Sequence, residues 1–288
     1  MTVTQEAAPG PPPSAEPVPA SVKTPFRHIP ALDGLRGAAV LAVLLFHGGL
    51  LTGGYLGVDL FFVLSGFLIT SLLLVEIGDT GKVALGSFWA RRARRLLPAL
   101  LLVLVGVALY AVFIARPVDM EQIRTDGLGT LFYVANWHTI IHGSNYWDIA
   151  LAPSPLQHTW SLAIEEQFYL VWPLVVIGVL VGIGRLADRR GIDRRHVLTG
   201  LLGLAGLAAA ASITWAIVLP EDASGVNRIY FGSDTRVAAI LLGAVLALVS
   251  ARFGEVRGRS ARVGLEAAAC VSLVGLADRE RVDVADLS

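Results

Sequence analysis

An arginine and a histidine interrupt the run LDGLRGAAVLAVLLFHGGLL, which is otherwise apolar enough to cross a lipid bilayer. Arg36 and His47 are eleven residues apart, three turns of a helix, so both leave one face. Their Cα atoms lie roughly 16 Å apart along the axis. An imidazole, neutral when buried, takes a proton from a hydroxyl near neutral pH. A guanidinium nearer the N-terminal side holds an anion, above all a phosphate. The competing account makes His47 a satisfied core histidine and sends the Arg36 head group to the membrane surface.

Four more stretches carry candidate chemistry. In GGYLGVDLFFVLSGFLIT, Asp59 lies inside the membrane zone, where it can orient His47 or Arg36 or form a structural ion pair. Gly53, Gly54 and Gly57 allow tight turning, and Ser65-Gly66 is a small patch suited to helix contact. In SFWARRARR, Arg91 and Arg92 project differently and offer planar cations to a phosphate-rich donor. Topology signalling and anionic-lipid binding are the alternative uses. In QHTWSLAIEEQFYLVWPL, the adjacent Glu165 and Glu166 follow His158 and open a span. They are candidates to bind acceptor hydroxyls or steady His47, against a merely solvated helix start. In YFGSDTRVAAILLGAVLA, Asp234 and Arg236 either form a local ion pair capping a helix or contact a polar acceptor.

The elements that must hold these residues are membrane spans. The chain has 288 residues, 55% hydrophobic and 16% charged, with mean hydropathy +0.65. That composition excludes an ordinary soluble domain. Residues 96–115 and 197–219 carry no charge, and each run is long enough to cross about 30 Å of hydrocarbon. Spans are expected at about Leu32–Leu51, Tyr55–Val75, Leu96–Ala115, Trp160–Gly184, Val197–Leu219 and Arg236–Ala251, with a short seventh at Val263–Ala277. The amphipathic stretch SFWARRARR precedes the third span. The patch Leu128–Trp137 is too short to cross and reads as a re-entrant or interfacial helix. The fold class is therefore all-α, a polytopic transmembrane helical bundle of about seven spans.

The formal net charge of zero hides an asymmetry. Arginines cluster at Arg91, Arg92, Arg94 and Arg95, at Arg185, Arg189, Arg190, Arg194 and Arg195, and at Arg252, Arg257, Arg259 and Arg262. A cytoplasmic N-terminus puts all three clusters on the cytoplasmic side and residues 116–159 and the Glu221-Asp222 loop outside. Each cluster abuts a span, which argues against nucleic-acid binding. The one cysteine, Cys270, excludes an intramolecular disulfide and a multi-cysteine zinc site, so no metal site is expected. Residues 1–28 read as a Pro/Ala-rich cytoplasmic tail, 29–277 as the membrane domain, and 278–288 as a polar tail.

Together these stretches resemble the bacterial membrane acyltransferase-3 family, which O-acylates cell-surface polysaccharides and related molecules. The likeness runs from about His28 to Ser250. It rests on Arg36 with His47, on GGYLGVDLFFVLSGF at 53–67, on Phe88 with Arg91 and Arg92, on TWSLAIEEQFYL and on SDTR. The resemblance implies transfer of an acyl group, commonly acetyl from acetyl-CoA, by an all-helical membrane domain. It implies an essential Arg36–His47 pair and donor assistance from Arg91 and Arg92. Family membrane domains usually continue for two or three further spans, so the domain is expected to be incomplete at its C-terminus.

The expected activity is O-acylation of a cell-surface glycan or lipid-linked sugar in the bacterial plasma membrane. Acyl-CoA is a co-substrate rather than a bound cofactor, and membrane lipids are the other partners. Asp59, Glu165, Glu166 and Arg236 are the residues expected to bind or orient the acceptor. His47 either deprotonates the acceptor or relays the acyl group as an acyl-imidazole. Two alternatives remain open: a transporter or flippase using the buried charges as a path, and an inactive truncated remnant.

Overall fold

The computed structural model describes residues 29–142, 154–191, 193–220 and 223–254. The N-terminal tail, the Glu221-Asp222 loop, the seventh span with Cys270, and Arg257, Arg259 and Arg262 lie outside the described residues. Ten α-helices and no strand occur among them. They are α1 (Pro30–His47), α2 (Leu56–Thr80), α3 (Leu85–Phe113), α4 (Met120–Leu131), α5 (Ala135–Ile141), α6 (Thr159–Ile177), α7 (Gly184–Arg189), α8 (Arg194–Val218), α9 (Ala223–Phe231) and α10 (Ser233–Phe253). Six helical stretches are long and apolar enough to cross a membrane. The chain is a multi-pass membrane protein.

Local chemistry explains the boundaries. Pro30 occupies the first turn of α1, where its missing N–H costs nothing. Gly48 and Gly49 follow His47, with Gly49 at φ 68°. α2 stops at Gly81, which takes φ 67° and returns its N–H to the Ile77 carbonyl. The turn into α3 is pinned by Glu76, whose carboxylate accepts from the Ala84 N–H at 2.8 Å. A π segment, Gly178–Ile183, joins α6 to α7, making one long rod of them.

The basic stretch SFWARRARR, which precedes the apolar run of the third span, belongs to the same helix: α3 is continuous through Pro98 for 29 residues. Hydrogen bonding from Phe88 N–H to Ala84 O starts the helix well before the apolar run. The patch Leu128–Trp137 is not one short helix but the end of α4 and the start of α5. Tyr133 breaks it with φ 55°, a left-handed turn closed by Val134 N–H to Gly129 O at 2.8 Å.

α2 and α10 cross at the centre, with α8 behind α10 and α6 beside α2. A Cβ on Gly66 would overlap the Ile240 carbonyl, and one on Gly243 would overlap the Val63 carbonyl. The two backbones touch because both glycines lack side chains. Gly54, in the link, and Gly57, in α2, let α1 lie close, over the Ala42 and Ala39 carbonyls. The core holds Phe62, Leu73, Ile164, Leu201, Phe231 and Ile240, each almost wholly buried. α1 and α3 bury little of their surface, and Leu44, Leu102 and Val112 face outward. In a bilayer such faces meet lipid or another helix.

Ser65 meets Glu165 and Thr70 meets Trp172, while Asp59 meets Arg236 and Gly66 meets Ile240, so α2, α6 and α10 run the same way. α8 is antiparallel to α10: Ser212 near its end bonds Asp234 O, and Arg252 near the end of α10 reaches Thr199. The start of α3, α7, the start of α8 and the end of α10 therefore share one arginine-rich end. His47 and the starts of α2, α6 and α10 share the other.

Candidate active site

His47 is the last residue of α1 and is exposed. Its Nδ1 lies 2.8 Å from the Val43 carbonyl oxygen, which can only accept. The proton therefore sits on Nδ1, and in the neutral ring Nε2 holds the basic lone pair. The Phe46 ring meets the imidazole edge-on, and Phe46 in turn packs edge-on against Tyr55 of the link into α2. His158, just before α6, lies within electrostatic reach of His47. Loss of hydration, then the His47 charge, hold the His158 pKa below the usual histidine value. A depressed histidine is favoured neutral in the fold, so its stabilisation is complete above the unfolded value near 6.5. It is lost as pH falls from there towards the folded value. His158→Gln is expected to flatten the acid-side fall of the thermal midpoint in detergent; an unchanged slope would remove His158 from that role.

Arg36 sits three turns below His47, within electrostatic reach of Glu165. Glu165 accepts a hydrogen bond from Ser65 of α2 at 2.8 Å. Ser65 lies nine residues into α2, about 13 Å along its axis, well inside the membrane zone. Glu166, the next residue, points elsewhere. Successive helical side chains diverge by about 100°, so Glu166 faces α3 and accepts from Arg92 Nε at 2.9 Å. The Arg92 guanidinium lies 3.1 Å from the centroid of the Tyr169 ring. Trp89 Nε1 donates to the Tyr169 carbonyl at 3.1 Å, fastening α3 to α6. Arg91, one residue away, is exposed. The two carboxylates thus take different hydrogen-bond partners, Glu165 bonding Ser65 and Glu166 bonding the Arg92 expected at the donor site.

Asp59 and Arg236 are brought together. Arg236 Nη1 donates to Asp59 Oδ1 at 3.0 Å, and its Nε donates to the Tyr230 carbonyl at 3.0 Å. Asp59 therefore pairs α2 with α10, the ion pair that the sequence left open beside contact with Arg36 or His47. The expected local pair of Asp234 with Arg236 does not form. Arg228 of α9 takes Asp234 through both terminal nitrogens, and Trp215 Nε1 adds a bond at 2.9 Å. A helix-start aspartate points back over the first turn, toward α9, whereas Arg236 leaves toward α2.

One group escaped the sequence reading. Asn136 is fully buried and donates to Ser233 Oγ at 2.9 Å and to the Phe231 carbonyl at 3.0 Å. Gln167 donates to Asn136 Oδ1 and to the Tyr133 carbonyl, and accepts from Ser233. This knot ties α5 to α6 and α10 near the His47 end. The available signal was polarity inside apolar runs: Asn136 within Leu128–Trp137, and Gln167 beside two glutamates.

The family description "Acyltransferase domain" matches residues 29–277. The chain belongs to the acyltransferase-3 family. Peptidoglycan O-acetyltransferase OatA of Listeria monocytogenes is 38% identical over 252 residues, 86% of this chain and 38% of that protein. A Bacillus subtilis protein named "Putative peptidoglycan O-acetyltransferase YrhL" is 41% identical over 226 residues, 77% of this chain and 33% of its own length. A Staphylococcus aureus protein named "Putative O-acetyltransferase SACOL0978" is 40% identical over 226 residues, covering 78% and 35% respectively. The chain thus spans little more than a third of the length of these curated relatives. No solved structure matches it. The acyltransferase-3 assignment covers the helices that carry Arg36, His47, Arg92, Glu165 and Glu166.

Proposed function

We propose that this acyltransferase-3 chain carries an acetyl group from cytoplasmic acetyl-CoA to a hydroxyl of a cell-wall glycan, across a bacterial plasma membrane with its N-terminus inside. The observation that carries the reading is a staircase of polar side chains through an apolar bundle. Arg91 is exposed toward the arginine-rich end, Arg92 with Glu166 and Arg36 with Ser65 and Glu165 lie inside, and His47 with His158 stands at the far end. Buried ionisable groups are costly in a membrane and persist where a pathway uses them. The names of the relatives, two of them peptidoglycan O-acetyltransferases, support a glycan acceptor.

The arginine-rich end receives the phosphates of the donor, and Arg36 stands between that end and the imidazole. His47 Nε2 takes the proton of the acceptor hydroxyl as its oxygen attacks the thioester carbonyl. The C–S bond breaks, and the proton leaves with the CoA thiol. Alternatively Nε2 attacks first, forming an acyl-imidazole that the hydroxyl then opens. Asp59, Arg236 and Glu165 line the acceptor side.

The test uses the purified chain in lipid nanodiscs with acetyl-labelled CoA and soluble peptidoglycan fragments. Base-labile label on the glycan is expected, since an O-acetyl ester hydrolyses in alkali. Absence of glycan label with a folded protein would defeat the proposal. In sealed proteoliposomes, label accumulating inside without ester formation would favour transport instead.

A further inference from the structure

We infer that Glu166 and Tyr169 are positioning residues for the donor: they lock the Arg92 guanidinium so that its two terminal nitrogens form a fork aimed at the diphosphate of a CoA-type thioester. The inference rests on the acetyl-CoA reading above and changes the side of the reaction on which Glu166 acts.

A guanidinium offers five N–H donors in one plane. The Arg92 plane is set from two directions. Glu166 Oε1 takes the Nε proton at 2.9 Å, which fixes the inner edge. The Tyr169 ring lies under the guanidinium carbon at 3.1 Å, which fixes the tilt. Neither contact uses Nη1 or Nη2, and neither nitrogen donates a hydrogen bond among the described residues. The arginine side chain keeps 22% of its surface exposed, so the outer edge is reachable. Trp89 holds the platform in register by bonding the Tyr169 carbonyl at 3.1 Å.

The fork stands at the right level for phosphates. Arg92 is seven residues, about 10 Å, from the start of α3 at the arginine-rich end. Arg91, Arg94 and Arg95 are exposed beside it and add positive potential. Bidentate N–H donation matches two oxygens of a phosphate or diphosphate. A long arginine at a membrane surface is otherwise free to rotate, and ordering it on binding costs entropy. Glu166 and Tyr169 meet that cost before the donor arrives. Glu165 turns to α2 and accepts from Ser65 rather than from Arg92.

The experiment measures CoA binding to the full chain in nanodiscs by calorimetry, alongside initial rates with acetyl-CoA and peptidoglycan fragments. Glu166→Gln is expected to raise the CoA Kd and the acetyl-CoA KM about tenfold, the loss typical of a charge-assisted hydrogen bond. kcat at saturating donor and the acceptor KM are expected to stay within about twofold. Tyr169→Phe keeps the stacking ring and is expected to bind CoA like the parent, while Tyr169→Leu loosens binding. Glu166→Asp, which restores the charge at shorter reach, is expected to recover part of the affinity. An unchanged CoA Kd in a folded Glu166→Gln protein overturns the inference, as does a raised acceptor KM with donor KM unchanged. If Glu166→Gln is not recovered folded, the Tyr169 pair decides: equal CoA Kd in Phe and Leu variants overturns it. A parent chain that binds no CoA and transfers nothing removes the function reading itself.

Discussion

His47→Ala should lose acyl transfer by about 10²–10⁴-fold while the protein stays inserted and folded, the range expected for a general base or nucleophile. The structural ground is the position of the ring. It stands at the exposed end of α1, beyond the glycine-mediated contacts with α2, so truncation removes little packing. What it removes is a nitrogen whose lone pair is defined by the Val43 carbonyl on the other side of the ring. Size-exclusion behaviour and the thermal midpoint should match the parent. Added imidazole should restore part of the rate, because the exposed site leaves room for a free ring. Full turnover in the alanine variant would show that the proton is handled elsewhere and would strip His47 of its role.

Gly66→Val should cost the fold. Its new Cβ would strike the Ile240 main-chain oxygen, and Gly243 meets Val63 in the reciprocal way. A carbonyl inside a helix has no rotamer to adopt, so α2 and α10 must separate. Overpacking of this kind costs about 3 kcal/mol or more, a fall of roughly ten degrees in the thermal midpoint for a domain of this size. The separation would also pull Asp59 from Arg236, so activity should fall together with stability. Gly106→Ala is the control, because a Cβ there meets nothing within 4 Å. It should be neutral or slightly stabilising, as alanine is the better helix former. A Gly66→Val protein with the parent midpoint would mean that the two helices do not cross where described.

The six candidate spans among the described residues were legible in residue types alone, because runs of about twenty apolar residues are long enough to cross a bilayer and the arginine clusters mark one end. So was the family, since Arg36 with His47, the GVD-x-FFVLSGF run, F-x-x-RR and WSL…EEQFY carry it in order. Helix limits were less legible: α3 begins at Leu85 rather than Leu96, because hydrogen bonds continue through the arginines that hydropathy discounts. Partner choice was not legible at all. Asp59 pairs with Arg236, 177 residues away, and Arg92 with Glu166, 74 residues away. Spacing along one helix says which face a charge leaves from. Which helix lies opposite depends on glycine contacts such as Gly66 on Ile240, and those exist only once the bundle is assembled.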